Sequence, residues 1–233
     1  MYKTFVFLLC SVLIWSCGSG ENSNKKIDVA VLQLDKFSPK TAFDNCLTLE
    51  TYQLLAAANT HLEEFITAEL LSEGEDLAVG YQRFVEEWTG QRYSQMDTEK
   101  LLNNDFANAL YAHSNFKNIW IPLVELGDTV YTEELAYDVE GNEVIVKYIE
   151  NYYTLNTNSN YYKCLKQNKN GFIQNYLINK EYGDIEPQDF ATELSEILDY
   201  DQYNDVIIRQ IISTELYLRI IAIRNTQTNN TTK

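Results

Sequence analysis

This sequence is short of the residues that build most recognisable catalytic motifs. Its 233 residues include two histidines, four cysteines, three prolines and nine glycines. No Cys-x-x-Cys occurs, so neither a thioredoxin-like redox motif nor a zinc ribbon is indicated. No G-x-S-x-G and no H-E-x-x-H occurs, so no serine nucleophile elbow and no zinc-protease helix is legible. Without a P-loop or a G-x-G-x-x-G, nucleotide binding has no support. Positive charge is scarce: 18 Lys and Arg stand against 34 Asp and Glu. A protein neutralises phosphates with Lys and Arg, so this acid excess argues against nucleic acid and against docking on anionic headgroups. No apolar run reaches the ~18 residues of a bilayer span. No repeat of fixed period stands out.

What is there begins at the N-terminus. Lys3 is the only charge before Glu21, and Phe5–Trp15 is apolar. A stretch of about ten apolar residues fits the ~7–15 of a signal-peptide core. A Gly/Ser/Asn-rich tract follows, with no apolar residue from Gly18 to Lys26. The string Ile14-Trp15-Ser16-Cys17 resembles the lipobox of bacterial lipoproteins. That motif has an aliphatic residue three before an acylated cysteine and a small residue just before it. Ile14 and Ser16 match, while Trp15 replaces the commoner small or aliphatic residue. The resemblance implies cleavage after Ser16, lipid on Cys17, and anchorage in an envelope membrane, with the outer membrane expected. The competing reading is ordinary cleavage after Gly18 or Gly20 and a free product. The abundance of Asn, Ile, Tyr and Lys beside few prolines is similar to that of Bacteroidetes-type bacteria.

The expected organisation is therefore a signal peptide over 1–16, a flexible linker over 17–26, a globular domain over 27–224 and a disordered polar tail over 225–233. Removing residues 1–16 leaves 217, carrying 17 bases and 34 acids. That length buries a sizeable core unaided. The acidity suits solubility of an exported surface, or a basic partner. Cys10 leaves with the signal peptide. Cys46 and Cys164 remain, an even pair that either closes one disulfide or stays as two buried thiols.

Apolar spacing predicts a mainly α, bundle-like domain of about seven helices. Ser38-Pro39 reads as the start of a long helix reaching about Leu71. Further helices are expected over Glu75–Trp88, from Asp97 to about His113, over Glu143–Leu155 and over Tyr161–Asn179. Pro187 and Asp201 open the last two. Ile119–Val124 reads as a buried extended piece or as a helix starting near Pro122. A small hairpin is expected near 129–139, pairing Thr129–Tyr131 with Tyr137–Val139.

Candidate chemistry is thin. His61 and Glu64 lie three apart on a predicted helix, where both can face one cation. Asn59-Thr60-His61-Leu62-Glu63-Glu64 is similar to the GxHxxE motif of imelysin-like exported helical proteins, with Asn59 in place of glycine. The resemblance implies a metal-dependent, peptidase-like role. The plain alternative is a partly exposed histidine on an acidic face. His113 suits a helix C-terminus. The pairs Glu63-Glu64, Glu86-Glu87 and Glu133-Glu134 are sequence neighbours and do not face each other on a helix. Asp199–Asp205 lacks the glycine of a calcium loop. Tyr152, Tyr153, Tyr161 and Tyr162 flank the Asn-rich loop 156–160 and form a candidate recognition surface, or simply pack between helices. No cofactor is expected. The reading that needs least is a lipid-anchored helical module that binds another envelope protein without catalysis. The alternatives are the His61/Glu64 enzyme and a solute-binding lipoprotein that uses its tyrosines.

Overall fold

A computed structural model describes residues 46–90, 96–102, 104–127, 131–149, 152–182 and 186–230. The signal peptide, Cys17, the linker and Ser38-Pro39 lie outside the described residues. The single helix expected from Ser38-Pro39 to about Leu71 is not continuous: residues 46–48 are not helical and the helix begins at Leu49. The architecture is mainly α, as expected, with two small antiparallel ladders. Among the described residues no helix is long and apolar enough to cross a membrane.

Helix α1 spans Leu49–Glu69, and Thr48 caps it by accepting from the Thr51 amide at 3.3 Å. Leu54, Leu55 and Ala56–Ala58 are buried in sequence, so this helix is enclosed on more than one side. Small alanines allow that close approach. Helix α2, Leu77–Trp88, is capped by Asp76, whose Oδ1 accepts from the Val79 amide. It lies tight on α1: a Cβ at Gly80 would sit 2.2 Å from Ile66 Cγ2. Arg83 clamps the joint. It donates to both Glu75 oxygens and to the Leu70 carbonyl, each at 2.6 Å. These bonds hold the Glu75 carboxyl down at about 2, with the Arg83 hydrogen bonds the largest cause.

The single helix expected from Asp97 to His113 is two: α3, Thr98–Leu102, and α4, Asp105–Ala112. Asn104 divides them. Its Nδ2 donates to the Lys100 and Leu101 carbonyls, and its Oδ1 accepts from the Ala107 amide. A side chain that competes for the backbone in this way ends one helix and starts the next. The same chemistry splits Tyr161–Asn179 into α5, Asn160–Gln167, and α6, Gly171–Tyr182. There Asn168 accepts from the Asn170 amide and Asn170 from the Phe172 amide.

The helix expected over Glu143–Leu155 is overturned. Strand β1, Trp120–Pro122, pairs with β4, Tyr153–Leu155, in register Trp120↔Leu155. Between them, β2, Tyr131–Tyr137, pairs with β3, Glu143–Ile149, through seven residue pairs. The run Val144-Ile145-Val146-Lys147-Tyr148-Ile149 is β-branched and aromatic, and its apolar positions fit a period of two as well as 3.6. A hairpin is present in this region, as expected, but its pairing is not the expected one. Tyr131 and Tyr137 lie on one strand, β2, whose partner is Glu143–Ile149 across the loop Asp138–Asn142. Thr129 lies outside the described residues.

Helix α7, Pro187–Ile197, opens on proline as expected. Tyr200–Asn204 forms a 3-10 turn, and Asp205, not Asp201, caps α8, Val206–Ile212, accepting from the Ile207 amide at 2.7 Å. A π-helical stretch, Ser213–Leu218, joins α8 to α9, Arg219–Asn230. Residues 210–219 are all buried, so this rod runs through the middle of the molecule beside α1. The segment from Asn225, expected to be disordered, stays helical to Asn230. Asn225 Nδ2 donates to the Ile221 carbonyl at 2.9 Å, closing onto the turn before it.

Candidate functional site

His61 and Glu64 sit in different surroundings: the histidine packs among aromatic rings and the glutamate is exposed. The His61 ring stacks on Phe106, with centroids 4.4 Å apart and planes 14° from parallel. Its Nδ1 is 2.6 Å from the Tyr217 hydroxyl. Desolvation in this aromatic slot pushes its pKa down to about 4, so the ring is neutral at pH 7. Glu64 is exposed and lines a shallow depression of about 340 Å³ with Thr60, Glu63, Thr67, Ala68 and Leu77. Glu63 bonds elsewhere: its Oε1 accepts from Asn59 Nδ2 at 3.1 Å and from the Tyr81 hydroxyl at 3.4 Å. Among the described residues no three His, Cys, Asp or Glu side chains come together as a metal ligand set.

The four tyrosines proposed as a recognition surface are mostly interior. Tyr153, Tyr161 and Tyr162 are buried, and Tyr152 is half-buried. The Tyr153 hydroxyl meets that of Tyr111 at 2.8 Å, and Tyr161 donates to Thr214 Oγ1 at 3.4 Å. Helical spacing in the sequence reveals which tyrosines share a face, not whether that face is covered. Cys46 and Cys164 are disulfide-bonded, closing 118 residues of sequence separation and tying the entry to α1 to α5. His113 ends α4, as expected, and its Nδ1 accepts from the Asn115 amide.

Two arrangements bring together residues that the sequence did not single out. The first is a polar network at the π-helical stretch. Tyr176 donates to Glu215 Oε1, and Glu215 Oε2 lies 3.8 Å from Arg219 Nη1. The Arg219 guanidinium sits 5.1 Å over the Trp120 ring, and Trp120 Nε1 donates to the Thr214 carbonyl at 3.0 Å. Glu215 and Arg219 are each 1 % exposed. Burial raises the pKa of both Tyr161 and Tyr176. A π turn offsets the side-chain register of a helix and often marks a functional site. Here it turns an ion pair into the core, closed to solvent.

The second arrangement is the β2–β3 hairpin, which projects from the body. Neither strand has a second strand neighbour among the described residues, and neither makes more than marginal contact with the helices. Leu135 and Ile145 face each other across the strands at 62 % and 64 % exposure, beside Tyr137 at 66 %. Val139 stands fully exposed at the tip. The other face, Ala136, Val144 and Val146, is half-buried. The loop is tightly built. The Gly141 amide donates to the Asp138 carbonyl, and Gly141 takes φ +83°. Asp138 and Asn142 close the loop by the Asp138 amide donating to the Asn142 carbonyl, leaving three residues between them with glycine at the left-handed position. The Asp138 carboxylate accepts from the Glu140 and Asn142 amides at 2.9 Å and from Asn142 Nδ2 at 3.1 Å. Those bonds lower its pKa, with the Asn142 side chain the largest cause.

A further depression of about 510 Å³ lies between α6 and α7, with Phe172, Ile178, Ile197 and Leu198 as its apolar lining. Comparison with protein-family models, with curated proteins and with solved structures yields no match to this chain.

Proposed function

We propose that this chain is an exported lipoprotein, anchored through Cys17 in an envelope membrane, that binds another envelope protein without catalysing a reaction. The observation that carries this reading is the β2–β3 arm. It holds four of the ten large exposed hydrophobics found among the described residues. A lone two-stranded hairpin is marginal in water. Covering a Leu or Ile side chain is worth ~1.5–3 kcal/mol, so a preformed arm with an uncovered apolar face is suited to a partner.

Two other features support the reading. The Cys46–Cys164 bond suits an oxidising compartment outside the cytosol. The polar run Gly18–Lys26 is a leash of the kind that lets an anchored domain stand off a surface. His61, the residue on which an enzymatic reading depends, is neutral and held by Phe106 and Tyr217.

The test is crosslinking in native envelopes followed by mass spectrometry, comparing the natural chain with Leu135→Glu. A reproducible partner that is recovered with the first and lost with the second is the expected outcome. Recovery of no reproducible partner with the natural chain would overturn the reading. The anchor is tested separately: Cys17→Ala should leave unprocessed or soluble protein, and continued membrane fractionation would remove the lipid from the account.

A further inference from the structure

We infer that the occupant of the β2–β3 arm is an extended, cationic segment of a partner protein, which adds as a strand and brings apolar side chains flanked by lysine or arginine. The inference rests on the partner-binding reading above and specifies its chemistry.

Three features of the arm point the same way. Its strands run seven residues in register, and each leaves its outer backbone edge without a strand neighbour among the described residues. An open edge of this length pairs readily with an extended chain, whose backbone supplies the hydrogen bonds. Leu135, Tyr137 and Ile145 then form the apolar side on which alternate residues of the incoming strand pack. Charge selects the occupant. Residues 131–149 hold five acids, Glu133, Glu134, Asp138, Glu140 and Glu143, and one base, Lys147. Asp138, Glu140 and Glu143 are exposed around the tip. A second copy of this chain would bring five more acids against these, and like charges opposed across strands are destabilising. A cationic strand instead neutralises the tip, and the excess acid of the whole chain speeds its arrival.

The Asp138 loop makes this arm a receptor. Its carboxylate fixes the loop from inside with three hydrogen bonds, so the strands are already paired when the partner arrives. A preformed edge spares the ordering cost that a floppy loop would meet on binding.

The experiment uses the full-length chain and two peptides of alternating residues, Lys-Val-Lys-Val-Lys-Val-Lys and Glu-Val-Glu-Val-Glu-Val-Glu. The lysine peptide should bind at least about ten-fold tighter at ~0.15 M salt and weaken as salt rises. Ile145→Lys should reduce that binding about ten-fold or more, while Ile197→Lys, in the α6/α7 depression, should leave it unchanged. Unaltered thermal midpoints would show that both variants fold. Equal binding of the two peptides, or indifference to Ile145→Lys, would overturn the inference. So would a concentration-dependent dimer of the chain that Ile145→Lys abolishes.

A photo-crosslinker at position 139 in native envelopes separates the two levels. An adduct on an extended, basic segment supports both. An adduct only on an acidic or helical segment refutes this chemistry and leaves the partner-binding reading standing. No adduct refutes both.

Discussion

The rod through the centre and the arm at the edge are built on opposite rules. Around Ser213–Leu218 charged and hydroxyl groups are buried, and most find partners inside: Glu215 with Tyr176 and Arg219, the Thr214 hydroxyl with the Gln210 carbonyl. The Ser213 hydroxyl has no hydrogen-bond partner among the described residues. On the β2–β3 arm, Leu135, Tyr137, Val139 and Ile145 are left in water. A buried polar group must find a partner inside the molecule, whereas an exposed apolar group is free to find one outside. The contrast separates what holds this protein together from what it offers to others.

The sharpest way to break the comparison is at the ion pair. Glu215→Ala leaves Arg219 buried without its carboxylate and should cost ~3–5 kcal/mol, read by denaturant unfolding. The double change Glu215→Leu with Arg219→Met should recover most of that loss, because a buried pair replaced by apolar side chains is often neutral. A loss persisting in the double variant would mean the pair contributes more than packing.

The disulfide comes next. Removing it through Cys46→Ser with Cys164→Ser frees a loop of 118 residues and should cost ~3–5 kcal/mol by the chain-entropy relation. An unchanged unfolding midpoint would place that constraint outside the account.

Third is acid. His61 has its pKa held near 4, below the unfolded value near 6.5. Between those values the unfolded chain binds the proton that the folded one refuses. Stability should therefore fall as pH drops from about 6.5 to about 4, by up to ~3 kcal/mol, and His61 should add no further slope below that window. In His61→Phe, which keeps an aromatic ring against Phe106, the fall between pH 7 and pH 4.5 should be smaller. An equal fall in both proteins would assign the acid sensitivity to other groups.

The smallest effect on stability belongs to the arm. Ile145→Lys should change the unfolding free energy by no more than ~0.5 kcal/mol, as an exposed substitution usually does. A loss of several kcal/mol would mean the arm is part of the core after all.

Much of the body was legible because its helices carry local signals. Pro187 at the start of α7, the apolar spacing through α1 and the glycines after it name their own positions. The splits at Asn104 and Asn168–Asn170 were not legible. Asparagine is tolerated inside helices, and only the tertiary setting decides whether its side chain captures the backbone. The β3 strand was misread because Val144, Ile145, Tyr148 and Ile149 satisfy two periods at once. Strand pairing, which chooses between them, is a contact with β2 that spacing along one segment does not contain. The tyrosines flanking residues 156–160 have a polar tip and a large apolar body, so their sequence context suits a surface as well as a core. The charged pair at Glu215 and Arg219 carries no local mark of burial, because i,i+4 ion pairs are common on exposed helix faces. Its burial follows from a rod enclosed on all sides.

The separation of body from arm is tested most directly by excising the arm. The Leu123 amide donates to the Tyr152 carbonyl at 2.8 Å, so the two chains leaving for the hairpin are already adjacent. Residues 128–151 can therefore be replaced by a short Gly-Ser linker, and partner crosslinking measured in native envelopes. The expected result is a folded protein, with a thermal midpoint close to that of the natural chain, that no longer yields the partner adduct. A folded variant that still captures the same partner would contradict the account.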